Sequence, residues 1–181
     1  MSRMSLMRFH NKSALVGILT SMCIVLGFME MFIPSPIPFL RLGLANVPIM
    51  IGIFIFDEKK YALYIALLKS LLIPIISGNF FIKIIVSMPS TIISTVIMLI
   101  IYKIFSKKIT AVSIGAAGGY FHIIVQLIVI KVFFIKYLDI YKIIPYFSLL
   151  GLITGILTGI IVEYTIKNIM KVKDVTENYS G

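Results

Sequence analysis

Read as apolar and polar positions, the chain alternates long greasy runs with brief charged or proline-bearing breaks. Six apolar segments can be drawn: Ser13 to Ile33, Leu42 to Phe56, Tyr61 to Ile76, Ile84 to Tyr102, Ile109 to Ile135 and Ile143 to Ile166. Four are long enough to cross a hydrocarbon core of ~30 Å at ~1.5 Å per residue; the second and third reach only ~22 to 24 Å. The turn Asp57-Glu58-Lys59-Lys60 joins those two and predicts a hairpin, which leaves a recess where it stops short of one face. The runs lack alternating polarity, and lipid requires every backbone amide to be satisfied within its own segment, so helices are expected rather than barrel strands. No internal repeat is visible.

Composition turns this pattern into a class. Of 181 residues, 60% are hydrophobic and 13% charged, and the mean hydropathy is +1.08, too apolar for a surface that water must wet. The expectation is an all-α integral membrane protein of six transmembrane helices in one domain. Residues 1–12 form a cytoplasmic tail, 13–170 the membrane domain and 171–181 a polar, frayed cytoplasmic end. The basic-then-apolar start resembles a secretory signal but leads into Pro34 without a small-residue cleavage site, so it is read as a retained first span. Cys23 lies inside that span and packs as a small hydrophobe.

The net charge of +10 sits at segment ends, where it orients the chain rather than binding nucleic acid. With the N-terminus inside, the cytoplasmic face collects Arg3, Arg8, Lys12, Lys59, Lys60, Lys103, Lys107, Lys108, Lys167, Lys171 and Lys173. The outer face collects Arg41, Lys83, Lys131, Lys136 and Lys142, so both termini are placed in the cytoplasm of a multi-pass protein of the bacterial cell membrane.

Lys69 alone falls within a span, at a cost of ~2.5 to 3.5 kcal/mol on insertion scales, and should therefore face the bundle interior or a wet cavity. His122 and Gln126 lie one turn apart at similar depth in the fifth span, and Glu30 sits one turn before Pro34. With Arg41, Asn46 and Asn79 they make a polar layer in the outer half of the bilayer, the arrangement an outward-facing binding pocket requires. Each has a plainer reading: Lys69 pairing with Glu30 or snorkelling, His122 with Gln126 clamping helices, Asn46 serving backbone freed by Pro48. Pro34, Pro36 and Pro38 stiffen the connection before Arg41, which could lie over the pocket mouth as a lid; Gly43 allows the next helix to approach closely.

Two small-residue patterns concern helix contacts. Gly151, Gly155 and Gly159 share one face of the last span, and Gly115 and Gly119 have the same spacing in the fifth; packing within the bundle is the favoured reading. Ala14, Gly17 and Ser21 form a narrow face on the first span suited to docking a partner subunit. Glu163 precedes Lys167 by four residues, a favourable helix pair outside the site. No metal-ligand spacing, phosphate loop, nucleophile elbow or aspartate-rich magnesium motif is found, so no cofactor, metal or catalytic residue is assigned and an enzyme is not expected.

At RLGLANVPIM (41–50), LLKSLLIPIISGNFF (67–81) and GGYFHIIVQL (118–127), the sequence resembles the small bacterial membrane family called Gx transporters, also labelled heptaprenyl diphosphate synthase component I. That family is similar in turn to the substrate-binding S components of energy-coupling factor transporters. The resemblance implies a six-helix subunit that captures a small molecule from outside and works with a coupling membrane protein and two cytoplasmic ATPases. The Ala14, Gly17 and Ser21 face would then be its docking surface. The second label implies instead a non-catalytic membrane component of a heptaprenyl diphosphate synthase system. A scaffold without a ligand is the third reading.

Overall fold

The structure is a computed structural model describing residues 12–33, 41–78, 80–105, 109–135 and 139–179, with side chains described to residue 171 except that of residue 140. The described residues form six α-helices: α1 (Lys12–Glu30), α2 (Val47–Ile55), α3 (Lys60–Ile76), α4 (Phe80–Phe105), α5 (Ala111–Phe133) and α6 (Ile140–Tyr179). A 3-10 turn at Leu44–Asn46 leads into α2. Helices α1, α4 and α5, and residues Tyr141–Lys171 of α6, are long and apolar enough to cross a membrane.

Local chemistry sets several boundaries. Pro48 stands in the first turn of α2, where its missing N–H has no helical acceptor to lose. Thr110 caps α5, its Oγ1 accepting the Ser113 N–H at 3.2 Å. The second apolar segment is not helical from its start at Leu42: Gly43 takes a left-handed φ of 92° and α2 begins only at Val47. Helix α6 runs well past Ile166 to Tyr179, because that stretch contains neither glycine nor proline to stop it.

Neighbouring helices follow the order α1, α3, α4, α5, α6, and α2 closes the ring by packing against α6, α1 and α3. All nine residues of α2 are buried, so the shortest helix is the central one. One apolar cluster surrounds it, with Cys23, Ile49, Ile53, Ile65, Met98 and Ile114. A second cluster gathers Val86, Ile123, Leu127 and Ile130 against Ile143 and Phe147. The outward surface is as apolar as the inside: Val25, Met29, Ile100, Val132, Ile153 and Leu157 are all exposed, as a lipid-facing bundle requires.

The glycine faces of α5 and α6 meet each other. A Cβ added at Gly115 or Gly119 would fall on the carbonyl oxygen of Gly155 or Gly151 respectively, and one at Gly155 on that of Gly115. The small residues therefore bring two backbones into direct contact within the bundle. Glu163 and Lys167 pair at 3.1 Å as their spacing predicts.

Candidate functional site

Between the two apolar clusters lies a layer of buried polar side chains: Glu30 from α1, Asn46 from the 3-10 turn, Lys69 from α3, His122 and Gln126 from α5, and Thr154 from α6. What they surround is the short strap 41–46, irregular at residues 41–43 and closing in the 3-10 turn Leu44–Asn46. Backbone that is not helical at membrane depth has N–H and C=O groups without helical partners, and these must be satisfied by side chains.

The strap is fastened from three helices through its backbone. Glu30 Oε1 accepts the Gly43 N–H at 2.5 Å. Gln126 Oε1 accepts the Arg41 N–H at 2.8 Å. Thr154 Oγ1 shares its hydroxyl hydrogen between Leu42 O at 3.2 Å and its own helix. A fourth helix holds a strap side chain: Lys69 Nζ donates to Asn46 Oδ1 at 2.5 Å, with Thr91 Oγ1 at 3.5 Å. The turn closes on itself as the Asn46 N–H reaches Gly43 O at 2.9 Å.

His122 joins this arrangement through Gln126, whose Nε2 lies 2.7 Å from His122 Nε2. Since the amide oxygen of Gln126 faces the Arg41 N–H, its nitrogen is the donor and His122 Nε2 accepts with its lone pair. The imidazole is therefore neutral, its proton on Nδ1 facing Ser94 Oγ at 3.5 Å. Gly43 passes close to this ring: a Cβ there would stand 3.3 Å from His122 Cδ2 and 3.1 Å from Asn46 Nδ2.

Arg41 differs from the rest. Its backbone is tied to Gln126, yet its Nη1 and Nη2 are buried and have no hydrogen-bond partner among the described residues. Within the layer it is the cation whose donors are left over. Six of the seven residues expected from sequence thus converge; Asn79 and the proposed lid at Pro34, Pro36 and Pro38 lie outside the described residues. Lys69 bonds Asn46 and not Glu30, and the His122–Gln126 bond runs along one helix rather than between two.

The sequence reading missed the α4 wall. Ser87, Ser90, Thr91, Ser94 and Thr95 are all buried and follow helical spacing on one face, a signal present in SMPSTIIST (87–95). Most of these hydroxyls bond their own helix, as Thr95 Oγ1 does to Thr91 O at 2.7 Å, while Thr91 and Ser94 also meet Lys69 and His122.

Away from the layer, an apolar groove of about 430 Å³ runs between α3 and α4, lined by Leu63, Leu99 and Tyr102. Lys59 borders it but is already engaged, bonding Ile53 O and Phe56 O and lying over the Tyr102 ring at 4.6 Å. The expected docking face is open: Ala14, Gly17 and Ser21 are exposed, and a Cβ at Gly17 would meet no described atom within 4 Å. Ser21 Oγ turns back onto Gly17 O at 2.8 Å, leaving that face smooth.

No curated protein and no solved structure matches the chain. The family described as heptaprenyl diphosphate synthase component I matches residues 19–165, the stretch that carries the strap, the polar layer and most of the six helices. The chain belongs to the heptaprenyl diphosphate synthase component I family, and it is a membrane protein.

Proposed function

We propose that the chain is the membrane substrate-binding subunit of an ATP-driven uptake transporter of the energy-coupling factor type, capturing a small molecule from outside in the polar layer around residues 41–46. In this reading all six helices lie in the cell membrane of a bacterium with both ends on the cytoplasmic side. The subunit performs no catalysis of its own. A coupling membrane protein driven by two cytoplasmic ATPases docks on the Ala14, Gly17 and Ser21 face.

The observation that carries the reading is the strap. A bundle held by apolar packing alone has no use for irregular backbone at membrane depth, nor for side chains of four helices spent on holding it. Such backbone is tolerated where it is buried in protein or lines a cavity, and binding sites in other transport proteins are built from interrupted helices near the midplane. The open face on α1 supports the partner: it is smooth, narrow and exposed.

The test is native mass spectrometry of the purified protein for a retained small molecule. Lys69→Ala and His122→Ala should both lower its occupancy while the helical content is kept. Unchanged occupancy in both would remove the site.

The family's description favours a second reading, a non-catalytic membrane component of a heptaprenyl diphosphate synthase system. Copurification separates the two. A soluble synthase subunit bearing magnesium-binding aspartates as the bound partner supports the second, and a coupling protein with paired ATPases the first.

A further inference from the structure

We infer that the captured molecule carries an oxyanion, a carboxylate or a phosphate, and that the guanidinium of Arg41 is the group that holds it. This rests on the capture function proposed above and deepens it, because the layer's hydrogen bonds separate fasteners from the ligand-facing group.

Each of the other polar side chains has a task. Glu30 Oε1 is occupied by the Gly43 N–H, and Gln126 is used at both ends of its amide. Lys69 Nζ is held by Asn46 and Thr91. His122 is neutral and accepts from Gln126, so it offers no charge.

Arg41 is left with two buried nitrogens and no acceptor among the described residues. Its surroundings do not neutralise it. Glu30 is the carboxylate within electrostatic range, and Lys69 and Lys83 are cations within the same range. The Lys83 ammonium is itself turned to Ser77 O at 3.1 Å. Two guanidinium nitrogens buried without an acceptor, near two further cations and a carboxylate already bonded to the Gly43 N–H, carry an uncompensated desolvation cost that an entering anion relieves.

The shape of the group narrows the chemistry. Nη1 and Nη2 present parallel N–H bonds that match the two oxygens of a carboxylate or of a phosphate edge. A neutral ligand would supply acceptors and leave the excess positive charge in place. The Gln126 bond to the Arg41 backbone fixes the root of the side chain, which favours one directed pair of bonds over a mobile point charge.

The experiment uses the full chain in neutral detergent, freed of retained molecules by exchange and checked by mass spectrometry. Thermal melting is followed in sodium phosphate, sodium pyrophosphate and sodium succinate, each against sodium chloride at matched ionic strength. At least one oxyanion should raise the wild-type Tm in a saturable way, and the preferred probe tells phosphate from carboxylate. Arg41→Gln should weaken the response about tenfold to a hundredfold, the usual effect of deleting a charged hydrogen-bonding partner. Arg41→Lys should recover only part of it, having the charge without the fork.

Without ligand, Arg41→Gln should melt at or above the wild-type temperature, since an unpaired buried charge is gone. A lower ligand-free Tm would make the arginine a structural group and overturn the assignment. So would equal responses in wild type and Arg41→Gln, or no oxyanion exceeding chloride. A neutral molecule retained equally by wild type and Arg41→Gln would leave the capture function standing and remove the oxyanion. With no retained molecule and no response, both fail.

Discussion

The side-chain amide of Gln126 stands between the Arg41 backbone N–H, which its oxygen accepts at 2.8 Å, and His122 Nε2, 2.7 Å from its nitrogen. One residue on α5 therefore fixes both where the strap enters the bundle and which imidazole nitrogen carries the proton. Gln126→Leu leaves a buried N–H without an acceptor and should cost about 1–3 kcal/mol of stability, read by thermal or denaturant unfolding. Gln126→Glu keeps an acceptor for Arg41 and should be milder. Equal stability of wild type and Gln126→Leu would show that the strap is not fastened there.

Gly43 tests the strap from the backbone side. Its φ of 92° is a conformation that side chains rarely adopt, and an added methyl would press on Asn46 and His122. Gly43→Ala should lower stability by about 1–3 kcal/mol and, on the proposed capture function, reduce retention of a small molecule in the same preparation. A neutral outcome in both measurements would contradict the left-handed turn.

Two glycines with the same chemistry should behave oppositely. Gly155→Leu drives a side chain into the α5 backbone, where no flexible neighbour can yield, and should destabilise or unfold the bundle. At Gly17 an added Cβ meets no described atom within 4 Å, so Gly17→Leu should leave melting and small-molecule retention unchanged while abolishing copurification with the proposed partner subunits. Copurification that survives Gly17→Leu removes this face as the docking surface.

The turn before α3 gives a pH prediction. Glu58 pairs with Lys12 at 2.8 Å and Lys60 at 2.5 Å, tying the start of α1 to the α2–α3 connection. Hydrogen bonds from Lys12 and then Lys60 hold its carboxyl at about 2 rather than 4.5. The native pKa lies below the unfolded one, so the contribution is complete above pH 4.5 and is lost as pH falls from there through 2. The pair is exposed and screened, so the effect is small and should shrink in high salt. Glu58→Gln should flatten this acid limb of the Tm profile, and an unchanged limb would assign it to other carboxylates.

The order and kind of the helices were legible in the chain because the breaks between them carry strong signals: the DEKK turn, the prolines and the run lengths. The late start of α2 was harder to see, since Leu42 to Asn46 is as apolar as a helix and only the dihedral of Gly43 separates them. The depth of Lys69, His122 and Gln126 could be counted along their helices. Their tasks could not, because those depend on contacts far apart in sequence: Gln126 serves a backbone group 85 residues away, and Thr154 one 112 residues away. The hydroxyl face of α4 had a readable period but little insertion cost, as most of those groups bond their own helix and so draw no attention as misplaced polarity.

The glycine-to-carbonyl contact of α5 with α6 also limits how the protein can move. Two backbones touching along three turns have no compliant side chains between them to absorb a hinge or a slide. In any rearrangement of the bundle these helices travel as one plank, and the change of shape is left to the strap and to the α1–α3 side of the ring.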